Sequence, residues 1–134
     1  MIELLTADTP NGKKISIMLE EIKFDYKVTT INIFKDEQFK PEFKKLSPFS
    51  KIPVIIDHDK KISLFESGAI LIYLGKKSGK FYDRDHRAII NQWLMGQVAY
   101  VGPMLGQHHQ FHHYNPGKSE CGERRYFKIS KRMY

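Results

Sequence analysis

The stretch Lys51-Ile52-Pro53-Val54-Ile55-Ile56-Asp57, followed after a turn by Leu64-Phe65-Glu66-Ser67-Gly68-Ala69-Ile70, decides the fold. Val54-Ile55-Ile56 is a short continuous apolar run of β-branched residues, the pattern of a central strand. Pro53 stands at its mouth, where proline removes a backbone donor and can hold a cis bond. The backbone of Ile52 is thereby left for pairing with an extended, peptide-like ligand. The second segment is a strand end that runs into an apolar-periodic helix through Glu66 and Ser67. A helix N-terminus with a hydroxyl and free N–H groups binds a carboxylate, and a glutamate beside it pairs with an amine. The two groups together suit the charged ends of one amino acid. Read without that ligand, Glu66 and Ser67 are a favourable helix start and Pro53 an ordinary strand-leading proline.

Working outward, Ile2-Glu3-Leu4-Leu5 reads as a strand and Thr6 to Gly12 as a turn. Ile15, Met18, Leu19 and Ile22 recur at i, i+3, i+4 and i+7, one apolar face of a helix over 11–22. The turn delivers Thr9 and Asn11 to the start of that helix, where the positive end favours an anion such as a thiolate. A hydroxyl and an amide both donate to sulfur. The turn holds no Cys, Ser or Tyr, so the attacking group is expected to come from the ligand. Thr and Asn are equally at home as a plain helix cap.

The remaining pattern gives strand 26–32, a short helix near 40–46, strands 53–57 and 61–64, and a helix over 66–77. This βαβ then ββα order predicts an α/β fold, a thioredoxin-like domain over residues 1–78. Residues 79–84 read as a linker. From Asp85, a candidate N-cap, the pattern turns helical, with Ile89, Ile90, Trp93, Leu94, Gln97 and Val101 near one face. Gly102-Pro103 is expected to kink or break this helix. Residues 112–118 read as a loop, and 119–134 as a further helix. Residues 85–134 are therefore expected to form part of an all-helical domain.

A chain of 134 residues with 41% hydrophobic and 28% charged content is in the range of a soluble globular protein. It has no apolar run near 18 residues and no cleavable signal pattern, which predicts a cytoplasmic protein without a membrane partner. The single cysteine, Cys121, excludes an intrachain disulfide framework and a protein-borne Cys-x-x-Cys pair. The net charge of +7 is spread along the chain, much of it in lysine doublets such as Lys13-Lys14 and Lys76-Lys77. That pattern reads as a solvated or interface surface, and no nucleic-acid partner is expected. His108/His112 and His109/His113 have the i, i+4 spacing of a two-ligand chelate. No Glu, Asp or Cys follows at metalloprotease spacing, so no metal is expected and a polar lining is the simpler reading.

Thr9-Pro10-Asn11-Gly12, Gln38-Phe39-Lys40-Pro41-Glu42-Phe43, Ser47 to Pro53 and Glu66 to Leu74 together resemble the glutathione transferase family. Gln92-Trp93-Leu94-Met95 and Gly102-Pro103-Met104-Leu105-Gly106-Gln107 extend the resemblance over nearly the whole chain. It is nearest to the bacterial nu-class, the glutathione-dependent disulfide-bond oxidoreductases. The resemblance implies a thioredoxin-like domain followed by the first helices of an all-α domain that is longer in relatives. It implies that glutathione is the co-substrate and that its thiolate reduces a small disulfide substrate. Conjugation to an electrophile, or a non-catalytic glutathione-binding module, are the alternatives. Thr9 and Asn11 would act on the sulfur. The Ile52 backbone would pair with the cysteinyl unit, Glu66 and Ser67 would hold the γ-glutamyl end, Gln38 would reach the glycyl end, and Lys51 and Pro53 would complete the glutathione-binding set. Arg125 matches a position that reaches a ligand in a neighbouring subunit, and a homodimer is implied. Gln38 and Lys51 also read as ordinary surface residues.

Overall fold

The computed structural model describes residues 1–134, which divide into two compact units, Met1–Arg84 and Asp85–Tyr134. The first unit contains β1 (Ile2–Thr6), α1 (Pro10–Ile22), β2 (Tyr26–Thr30), α2 (Pro41–Leu46), β3 (Val54–Asp57), β4 (Ile62–Phe65) and α3 (Ser67–Ser78). The strands form one sheet in the order β2-β1-β3-β4, with β1 parallel to β2 and the other pairs antiparallel. The mixed sheet and flanking helices are the expected thioredoxin-like arrangement.

The two-residue period of the strands sends alternate side chains to opposite faces. Ile2, Leu4 and Ile55 go to one face, where they pack with Ile15, Met18, Leu19 and Ile22 of α1 and Ile70 and Leu74 of α3. Leu5 and Val54 go to the other face and meet Phe43 of α2. Each fully buried Leu or Ile contributes about 1.5–3 kcal/mol relative to exposure. β2 ends at Thr30, short of the expected 32; Ile31 N–H still donates to the Thr6 carbonyl (2.8 Å), and Asn32 then caps a 3-10 turn, Ile33–Lys35, that takes the chain off the sheet.

Asp57 closes the expected strand, and it is fully buried at the end of β3. Tyr73 and Lys77 of α3 both donate to its carboxylate, as do the amides of Asp59 and Lys60. Burial alone would raise its pKa. The hydrogen bonds from Lys77, Tyr73 and the Lys60 amide, with the Lys77 charge, outweigh that and hold it well below the usual carboxylate range. Burial and the same contact push the Tyr73 hydroxyl up to about 12. Lys77 is thus an anchor of α3 and not a solvated charge. The linker is not loose either. Tyr82 is buried against Gly75, where an added Cβ would lie 2.7 Å from the Tyr82 Cβ.

The second unit is helical throughout. α4 (Arg87–Gly96) starts one residue after His86, so His86 and not Asp85 takes the cap position. Gly102-Pro103 does not break the helix. A π-helical stretch, Gln97–Val101, leads directly into α5 (Gly102–His109), and a second, Gln110–Tyr114, follows. Proline lacks an N–H and its ring crowds the carbonyl four residues back. The wider π turn makes room, and Gly102 N–H bonds five residues back to Gln97. His112, His113 and Tyr114 therefore belong to the helix, against the expected loop, and the connection to α6 (Glu120–Met133) spans only 115–119. No helix is long and apolar enough to cross a membrane.

Candidate functional site

The sheet register gathers the candidate residues of the first unit at one edge. Val54 at the start of β3 lies opposite both Leu5 near the end of β1 and Phe65 at the end of β4. Thr6 lies opposite Thr30 at the end of β2. The turn after β1, the segment leading into β3, the β4–α3 junction and the connection after β2 therefore open at the same end of the sheet. Thr9, Asn11, Gln38, Lys51, Ile52, Pro53, Glu66 and Ser67 all sit on these four segments. Arg125 is exposed on α6 and belongs to the second unit.

The Ile52–Pro53 peptide is cis, and Pro53 is buried. No hydrogen bond of the fold engages the Ile52 backbone, whereas Lys51 on one side and Val54 on the other are both paired. A backbone that is fixed in place and left unpaired is a template for an added extended strand.

Glu66 sits at the N-cap of α3 with φ 69° and ψ 112°, and its side chain makes no cap bond. A non-glycine residue at such φ costs on the order of 1–3 kcal/mol and persists where the surroundings enforce it, commonly at ligand sites. Here the β4 end and the helix start enforce it, and the exposed carboxylate is left facing solvent. Ser67 is 8% exposed and opens the 12-residue helix, whose first amides have no partner within the helix.

Thr9 is the N-cap of α1, and its Oγ1 accepts from Gly12 N–H at 3.1 Å. The cap uses the oxygen as acceptor and leaves the hydroxyl proton to donate elsewhere. Gly12 is required there, since a Cβ would lie 2.3 Å from Thr6 Oγ1. Asn11 is exposed, and its Oδ1 accepts from Lys14 Nζ at 2.8 Å, which leaves its NH₂ group as donor. Lys14 is half-buried and burial lowers its pKa, so the expected solvent-facing doublet is divided. Sequence spacing does carry a signal for this lysine, because it stands three residues after Asn11 on the same helical face.

Gln38 ends up less available than expected. Its Nε2 donates to the Ile33 carbonyl at 3.3 Å and its Oε1 is buried without a partner. Lys51 offers an exposed side chain, while its backbone is bound in both directions to the hydroxyl of Ser47. Ser47 was not among the expected site residues. In the second unit the histidine rings pack on one another, with centroids 5.2 Å apart for His108–His112 and 4.3 Å for His109–His113. No group of three His, Cys, Asp or Glu side chains converges as a metal site.

The family profile described as "Glutathione S-transferase, N-terminal domain" matches residues 3–76. Disulfide-bond oxidoreductase YfcG of Escherichia coli (strain K12) is 45% identical over 141 residues, which cover 100% of this chain and 66% of that protein. Disulfide-bond oxidoreductase YghU of the same organism is 36% identical, covering 98% of this chain and 49% of its own length. Among solved structures, a glutathione transferase family member from Pseudomonas fluorescens pf-5 with two glutathione bound superposes with a TM-score of 0.91 at 41% identity, covering 98% of this chain and 62% of that one. A glutathione transferase from Pseudomonas putida, with one glutathione disulfide bound per subunit, gives 0.90 at 41% identity, covering 98% and 61%. The chain thus spans about half to two thirds of the length of these relatives.

Proposed function

The chain belongs to the glutathione S-transferase family, and from that premise we propose that it binds glutathione and uses the bound thiolate to reduce disulfides. The observation that carries this reading is the unpaired Ile52 backbone at the same sheet end as the strained Glu66 and the buried Ser67. The ligand's cysteinyl unit adds to Ile52 as a short strand. Its γ-glutamyl carboxylate takes the start of α3 at Ser67, and its amine takes Glu66. This places the sulfur toward the start of α1, where the Asn11 NH₂ and the Thr9 hydroxyl donate to it.

The exchange then needs no thiol from the protein. The glutathione thiolate attacks one sulfur of the substrate disulfide, a mixed disulfide forms, and the other sulfur leaves as thiolate and takes a proton from solvent. A second glutathione thiolate attacks the glutathione sulfur of the mixed disulfide, glutathione disulfide forms, and the remaining substrate sulfur leaves as thiolate and takes a proton from solvent. The sequence supports this by what the site contains: donors to sulfur, and Cys121 as the only cysteine, exposed near the start of α6.

Calorimetry with glutathione disulfide should show binding that Ser67→Ala weakens. In a glutathione-coupled disulfide assay, Asn11→Ala should lower turnover by about tenfold while changing affinity less, because its donor acts where charge is concentrated during exchange. Cys121→Ser should match the parent. Loss of activity in Cys121→Ser with the fold intact would replace this mechanism by one using the protein's thiol. Absence of binding at millimolar ligand would remove the reading altogether.

A further inference from the structure

We propose that Ser47 is the positioning residue that holds the Ile52 backbone ready for the ligand's cysteinyl unit. The inference rests on the reading that Ile52 pairs with glutathione. Ser47 is fully buried at the C-terminal end of α2, and every polar group it has is used. Its N–H donates to the Phe43 carbonyl (2.9 Å) and its carbonyl accepts from Ser50 N–H (2.8 Å). Its Oγ accepts from Lys51 N–H at 3.1 Å and donates to the Lys51 carbonyl at 2.8 Å. The loop Ser47–Lys51 is therefore closed on one side chain, tightly enough that Ser50 takes a left-handed φ of 54°.

This closure matters for the residue that follows. Lys51 is held by Ser47, and Val54 is held by its place opposite Leu5 in the sheet. Ile52 hangs between these two fixed points, with its side chain against the Leu5–Phe43–Val54 cluster and its own backbone groups unpaired. The ligand then meets a strand edge that is already in place, and little ordering cost is charged against binding. Removing the hydroxyl leaves both Lys51 backbone groups without their partner in a partly buried setting. The loop then populates other positions, and apparent affinity falls in proportion to the competent fraction.

The test is a cycle between protein and ligand, run by calorimetry on the full chain. The probes are S-methylglutathione and the same peptide methylated on the cysteinyl amide nitrogen, which cannot donate to the Ile52 carbonyl. Ser47→Ala should weaken S-methylglutathione by about tenfold and the N-methylated probe by about threefold, because the second has already lost its bond to the Ile52 carbonyl and keeps only the one from the Ile52 N–H. Ser47→Thr, which retains the hydroxyl, should bind S-methylglutathione within about threefold of the parent. Equal losses for both probes in Ser47→Ala would mean that Ser47 acts through general stability, and would overturn the proposal. Unchanged affinity would overturn it as well. Should Ser47→Ala not fold, Ser47→Cys, similar in volume with a weaker hydrogen bond, is read by the same criteria. If the parent binds neither probe, the Ile52 site itself is wrong, which separates failure of the functional reading from failure of the role of Ser47.

Discussion

Every buried apolar side chain lies between Ile2 and Tyr82, in the first unit. In the second, Trp93, Tyr114 and Phe127 are 73%, 69% and 55% exposed, and the buried residue is a serine, Ser130. Ile89, Trp93 and Val101, expected to share one apolar helix face, are all exposed. The first unit is held by side chains distant in sequence meeting across a sheet. The second relies on nearer neighbours: the Ser119 cap, the Glu120–Arg124 pair one turn apart, and the stacked Phe111 and Tyr126 rings. The two units are thus held together by different kinds of contact. Eight of the nine candidate site residues stand on the unit with the interlocked core.

The contrast is sharpest in the core itself. Leu19 is fully buried, and Leu19→Ala should destabilise the first unit by about 3 kcal/mol. Leu105 on α5 is half-buried, and Leu105→Ala should cost about 1 kcal/mol. Amide hydrogen exchange resolved by segment reads the two units separately. Equal losses would end the distinction drawn here.

A smaller effect comes from the buried carboxylate. Lys77→Met should cost about 2 kcal/mol at neutral pH, since it removes a charged hydrogen-bond partner from Asp57. Because the folded Asp57 pKa is depressed, its contribution is complete above the unfolded value of about 4 and is lost as pH falls from there toward the folded value. The gap between Lys77→Met and parent should therefore narrow in melts below about pH 4. A gap that stays constant down to acid would assign the loss to packing of the lysine stem.

The smallest effect compares one bond in two settings. Thr9 Oγ1 caps α1 through Gly12 N–H at 3.1 Å, and Ser119 Oγ caps α6 through Gly122 N–H at 3.2 Å. Each change to alanine should cost about 1 kcal/mol. Thr9→Ala should also lower turnover, and Ser119→Ala should only fray α6, seen as faster exchange at its first amides. Equal effects on turnover would show that the cap, and not the donor to sulfur, is what Thr9 contributes.

The sheet unit was largely legible in the sequence because its signals are local and periodic. Ile15, Met18, Leu19 and Ile22 mark α1 by spacing alone, and Val54-Ile55-Ile56 marks the central strand. The positions of the candidate residues were legible where a local pattern marks an element boundary, as with Pro53 before a strand or Glu66-Ser67 before a helix, while their role toward a ligand is what the proposal adds. Ser47 and Asp57 were missed because their importance lies in what folds over them. One looks like a loop serine and the other like an acid at a strand end until α2 and α3 close around them. Lys14 and Lys77 were read as solvated because a lysine doublet does not show which member the core covers. Pro103 was misread for another reason. The rule that proline ends a helix assumes four-residue bonding, and this helix changes its bonding where the proline falls.

That change of bonding acts as a phase slip. A π turn advances less rotation per residue than an α turn, so each of the two stretches, Gln97–Val101 and Gln110–Tyr114, sets back the angular clock of the helix. A face projected forward from Ile89 on an unbroken helical wheel drifts out of step before it reaches the histidines. Alignments and designs that count residues along this rod should reset the count at each slip, because here the same sequence interval does not mean the same direction in space.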